Sequence, residues 1–158
     1  MQNLGNVIWN IPFLGFINAT IVYCFGLLLT ATGIGAPIGL GLMEYGKFYF
    51  APFGKEMVSK SQLNVEQNET WKKFSTVMTI VWLPFGIFLW VGAIIQIVLC
   101  FISIIGIPVA IVVAKSLGTL INPVNKKCVH AAVKEEIERQ KGQVEVEKHL
   151  STTSIQEA

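Results

Sequence analysis

A chain of 158 residues has the size of one domain, and its 53% apolar against 14% charged residues departs from the roughly 25% charged of soluble domains. Residues 1–43 and 74–114 contain no Asp, Glu, Lys or Arg at all. Soluble helices and strands meet charged surface every turn or two, so this distribution excludes a water-soluble core and points to an integral membrane protein.

In chain order, the first uncharged tract is too long for a secretory signal, and the first basic residue is only Lys47. The tract is therefore expected to stay in the mature protein. About 20 apolar residues cross a hydrocarbon core of roughly 30 Å, so the tract has room for a helical hairpin. Trp9 opens it where an interfacial aromatic anchor would lie. The break comes at Thr32-Gly33-Ile34-Gly35-Ala36-Pro37, where Gly relaxes the backbone and Pro favours a helix start. Gly35 and Gly39 on the return limb are small residues four apart, suited to close helix packing in lipid. From Gly35 to Met43 that limb has nine residues before Glu44, about 14 Å of helix, so the hairpin either spans fully or is re-entrant.

Residues 44–73 carry charge again. The second uncharged tract then repeats the pattern, with Trp82 near its start, Gln96 within it, and a break at Ser103-Ile104-Ile105-Gly106-Ile107-Pro108. Its return limb holds Gly106, Ala110 and Ala114 at four-residue spacing and ends at Lys115. The tail from Ala131 predicts a short helix to Lys141, with Glu135 and Arg139 paired at i,i+4 and Gly142 as its stop. Beyond it the tail is a polar, solvated extension with a possible protein partner.

The two tracts align. After the breaks the offset is 71: Gly35-Ala36-Pro37 on Gly106-Ile107-Pro108, Pro52-Phe53-Gly54-Lys55 on Pro123-Val124-Asn125-Lys126, and Val58 on Val129. Before them it is 73, with Val7-Ile8-Trp9 on Ile80-Val81-Trp82, so a two-residue insertion lies in the first helix. The expected fold is all-α: two parallel repeats of a helical hairpin (about 5–60 and 76–130), about four membrane segments in a membrane domain 1–130, and a charged cytosolic tail 131–158. Every Lys and Arg lies in 44–73 or 115–158, which places both termini and the central segment in the cytoplasm.

Glu44 and Lys115 each lie seven residues after the module proline, Pro37 or Pro108, and so occupy equivalent positions. Opposite charges there could form an intramembrane ion pair or, with Lys47 and Gln96, line a conduit. The alternative is a surface pair of Glu44 with Lys47 and a Lys115 that snorkels to the headgroups. Asn18, Thr20 and Ser103 suit interhelical hydrogen bonds. His130 and His149 stand without metal-like spacing, and Cys24, Cys100 and Cys128 read as small hydrophobes. No nucleophile triad, phosphate loop or acid/base pair occurs in the apolar tracts, so no enzyme, cofactor or metal is expected. No basic block interleaves with aromatics, which argues against nucleic acid.

On Ile104-Ile105-Gly106-Ile107-Pro108-Val109, the interval from Pro108 to Pro123, and Pro52-Phe53-Gly54-Lys55, the region from about Asn6 to Val129 resembles the YccF-like inner-membrane component family. Asn125 departs from the family's Gly, although Asn also tolerates left-handed backbone. The resemblance implies a small, duplicated membrane protein and transfers no site residues. The expected function is a non-enzymatic, oligomeric multi-pass component of the bacterial inner or plasma membrane. The alternative is an oligomeric channel or transporter for ions or small polar solutes.

Overall fold

The computed structural model describes residues 2–63 and 65–156, with the side chains of Gln2 and of residues 150–156 left aside. Glu157 and Ala158, the end of the expected tail, lie outside the described residues.

Helix α1 (Gln2–Asn10) ends before Pro12, which cannot donate to a continuing helix, and Leu14 takes a left-handed conformation (φ 52°) before α2 (Gly15–Ala31) begins. The two helices meet at an 80° bend. Gly33 (φ 72°) turns the chain at the first tip, Thr32 Oγ1 accepts the Gly35 amide at 3.2 Å, and α3 (Ala36–Phe50) starts with Pro37 in its first turn. At that position the missing amide is one of the helix's unpaired donors anyway. In the second half α4 (Glu69–Ile102) is capped by Asn68, whose side chain accepts the Thr70 amide at 3.0 Å, and runs unbroken for 34 residues through Pro84. A single turn of 3₁₀ helix (Ile104–Gly106) leads to α5 (Ile107–Ile121), again with proline in its first turn.

The offset between the two tracts changes in the stretch where α1 bends into α2. Five residues separate Trp9 from Gly15 but only three separate Trp82 from Gly86, and the shorter version stays helical.

The all-α expectation needs correction: β1 (Lys55–Ser59) pairs antiparallel with β2 (Lys126–His130), joining the two halves. Each strand is only five residues long and charged, so neither carries the apolar alternation that signals a strand in sequence. The helix in the tail is also longer than expected. Helix α6 (Ala131–Gln156) passes through Gly142, because one glycine costs only about 1 kcal/mol and the following Gln, Glu and Lys are good helix formers. Arg139 pairs with Glu136 at 3.3 Å, not with Glu135.

The core lies between α3 and α5 and over the strand pair, built from Trp9, Ile38, Leu42, Tyr45, Phe48, Met57, Trp82, Val112 and Val124. The outer helices α2 and α4 present Ile21, Leu28, Ile80, Phe88 and Leu99 outward, and the tips expose Ile34, Ile104 and Ile105. That much continuous apolar surface is stable only where the surroundings are themselves apolar. By length and composition, α4 and the segment Ile104–Ile121 can each cross a membrane, and α1 with α2 makes a third span if taken as one bent unit. Helix α3, 15 residues or about 22 Å, is shorter than a full crossing.

Candidate functional site

Charged side chains from α3, α5 and α6 meet at the strand pair. Glu56 on β1 receives Lys115 from α5 at 2.7 Å and Lys134 from α6 at 3.4 Å, and Lys115 also donates to the Pro52 carbonyl at 3.4 Å. Glu44 on α3 accepts the Cys128 amide of β2 at 2.9 Å through Oε2, while Oε1 pairs with Lys47. Glu44 and Lys115 therefore do not form the ion pair with each other that their equivalent positions suggested. Each reaches across to the strand of the other half, because the strands lie between the two return limbs and meet the side chains first. The expected surface pair of Glu44 with Lys47 is present as well.

Burial pushes the Cys128 thiol up to about 11, with the nearby Glu44 and Glu56 carboxylates adding to the effect and Lys55 and Lys47 opposing it. Lys126, half-buried on the same strand, is lowered by burial and by repulsion from Lys134.

A cleft of about 540 Å³ opens between the hairpins, with walls that include Asn18, Tyr45, Trp82, Gln96 and Val113. Gln96 faces this cleft, whereas Glu44, Lys47 and Lys115 are not among its walls. Trp9 and Trp82 are not presented to the headgroups as anchors. They are 3% and 8% exposed, and their indoles donate to the Tyr49 carbonyl at 2.8 Å and the Leu120 carbonyl at 3.0 Å. Those carbonyls belong to the last turns of α3 and α5, where a helix leaves acceptors unpaired, and the indole N–H supplies the missing donor.

The small residues serve packing inside each hairpin. A Cβ on Gly39 would strike the Gly26 carbonyl and the Thr30 hydroxyl of α2. One on Gly35 would come within 2.9 Å of the Leu29 carbonyl, and one on Gly106 within 2.7 Å of the Cys100 carbonyl. Ala110 is fully buried, whereas Ala114 and Gly118 stay outward on α5. Oligomerisation through the first set has no free face, since the partner helix of the same hairpin already occupies it.

Sequence reasoning missed Glu56 and Lys134, the hub of the charged junction, and the buried Tyr45–Tyr49 hydroxyl contact at 2.9 Å. A signal existed for the first. The matched Lys55-x-x-Val58 and Lys126-x-x-Val129 stand where the strands form. Among the described residues no group of His, Cys, Asp and Glu is placed to hold a metal ion.

Neither a curated protein nor a solved structure matches the chain. Residues 4–55, from within α1 to the first residue of β1, match the family model of the YccF inner membrane component domain, and this protein, with helices apolar and long enough to cross a bilayer, is a membrane protein.

Proposed function

We propose that the protein is a non-enzymatic, multi-pass component of the inner or plasma membrane, built from two parallel copies of one hairpin and assembled into oligomers with the charged junction on the cytoplasmic side. The observation that carries this reading is the apolar outer surface of α2 and α4 enclosing a core with a single charged end.

Duplication is supported by contacts that recur at the sequence offset. The central pair of the strand ladder, Met57 opposite Cys128, is separated by 71, as are Pro37 and Pro108. The carbonyls that accept the two indoles, those of Tyr49 and Leu120, are separated by 71. So are Gly35 over Leu29 and Gly106 over Cys100. An antiparallel strand pair centred on equivalent residues fits a two-fold axis through the sheet. With that axis along the membrane normal, both hairpins point the same way, which agrees with the lysines lying at one end.

Ala114 and Gly118, one turn apart and outward on α5, offer a close-approach surface for another copy. The test is the mass of the protein in lipid nanodiscs. The wild type is expected as an oligomer, shifted toward monomer by Ala114→Leu with Gly118→Leu. A wild-type monomer overturns the assembly.

The cleft favours a second reading, an oligomeric conduit for small polar solutes, because Asn18 and Gln96 place amides on its otherwise largely apolar walls. Proteoliposome flux that Gln96→Leu abolishes would support it. No conductance in a verified oligomer removes it.

A further inference from the structure

Beside the junction lies a pocket of about 310 Å³ lined by Lys60, Lys126 and Lys127, with Leu40, Glu44 and Val65 completing its walls. The three lysines are held together by backbone. Ser59 pairs with Lys126 in the ladder, and the Lys60 amide donates to the Asn125 carbonyl at 2.8 Å, so the residue after β1 is tied to the residue before β2. Asn125 takes the left-handed turn (φ 57°) that brings β2 into this position.

The pocket is short of negative charge. Among the described residues no carboxylate forms an ion pair with Lys60, Lys126 or Lys127. The one carboxylate in its wall, Glu44, already has both oxygens engaged, by Lys47 and by the Cys128 amide. Burial, and after it the Lys134 ammonium, lowers the affinity of Lys126 for its proton.

The remaining wall is apolar and exposed, with Val65 held beside Lys60 by its amide, which donates to the Lys60 carbonyl at 3.4 Å. Leu40 lies one turn from Glu44 toward the tip of α3 and is exposed, as is Val65. Cations and exposed apolar side chains lining one pocket are the pattern that takes an anionic amphiphile.

We propose that Lys60, Lys126 and Lys127 form a binding site for a phosphate group, that of an anionic phospholipid, whose acyl chain leaves along Leu40 and Val65. Ammonium groups on flexible stems suit phosphate as point charges, without needing the planar fork of arginine. The site depends on membrane embedding alone and stands whether or not the protein is an oligomer or a conduit.

The test is lipid retention by the full-length protein, purified in neutral detergent and weighed by native mass spectrometry with phosphatidylglycerol or phosphatidylcholine added. The wild type should retain phosphatidylglycerol in preference to phosphatidylcholine. Lys126→Gln with Lys127→Gln should weaken that retention roughly tenfold or more. Lys72→Gln with Lys73→Gln removes the same charge from the start of α4 and should leave it unchanged. If the strand variant does not fold, Lys60→Gln, in the turn outside the strands, takes its place under the same criterion. Displacement of the lipid by inorganic phosphate would assign the site to a soluble phosphate, and its failure to displace assigns the site to lipid. Equal retention by wild type and pocket variant, or equal loss in the α4 variant, overturns the proposal.

Discussion

Trp9 and Trp82 give up their place at the headgroups because each serves a carbonyl that its helix leaves unpaired, Tyr49 for one and Leu120 for the other. A net hydrogen bond of this kind contributes about 1 kcal/mol, with more lost when a buried acceptor is left alone. Trp9→Phe and Trp82→Phe should each lower stability by about 1–2 kcal/mol in denaturant titrations in detergent. Similar values for both would fit the equivalence of the two sites, while no loss in either would refute the role. Gly41 is tighter still, since a Cβ there would run into the Pro123 carbonyl, which is backbone and cannot step aside. Gly41→Ala should cost about 1–3 kcal/mol. Cys128 provides a pH readout in the same region. A thiol pushed up to about 11 holds little thiolate at pH 8, so maleimide labelling in a Cys24→Ala, Cys100→Ala background should be slow there and become half-maximal only near pH 11. Fast labelling at pH 8 would mean that the strand is open to water.

Between elements, the charged junction ties return limb α5, strand β1 and helix α6 through one carboxylate. Glu56 has two ammonium partners and a side chain only 14% exposed, whereas Lys115, at 30%, can turn toward solvent. Glu56→Gln should therefore destabilise by about 1–3 kcal/mol, and Lys115→Met by less, because Lys134 still neutralises the carboxylate. The reverse order in equilibrium unfolding would show that Lys115 is the hub. The same elements explain what the sequence left hidden. Breaks at Gly33 and Gly106 are local backbone chemistry and stand out in any reading, but a five-residue charged strand acquires its identity only from the strand beside it. The α1–α2 bend lies where the sequence offset changes by two residues, yet nothing in Ile11-Pro12-Phe13-Leu14 said that it would bend while Leu83-Pro84-Phe85 continues as helix.

For the molecule as a whole, the pairing of β1 with β2 sets how the hairpins face each other, and it can be trapped. Opposed residues in an antiparallel ladder lie about 4.5–5.5 Å apart at Cα, within disulfide range. Met57→Cys should cross-link to Cys128 under mild oxidation. Val58→Cys, whose side chain points to the other face, should not. Cross-linking by both or by neither would contradict the register. Cysteines at positions 34 and 105, both on exposed tips, test depth and orientation. If the hairpins are parallel and span, an impermeant maleimide should label both from the side opposite the lysines, and labelling of 105 alone would mark the first hairpin as re-entrant.

Composition alone determined the solvent this chain folds in, since two long tracts without a single charge cannot be covered by water whatever their shape. The breaks and the internal offset followed from the same one-dimensional record, because glycine, proline and their spacing act on the backbone locally. The partners of Glu44, Lys115, Trp9 and Trp82 did not, for they lie 84, 59, 40 and 38 residues away from the groups they meet, at Cys128, Glu56, Tyr49 and Leu120. Which carbonyl lacks a donor and which strand edge comes first is decided only when the two hairpins dock. For that reason the tertiary structure, not the pattern of residues, turned a supposed ion pair into two crossed contacts and two supposed anchors into core.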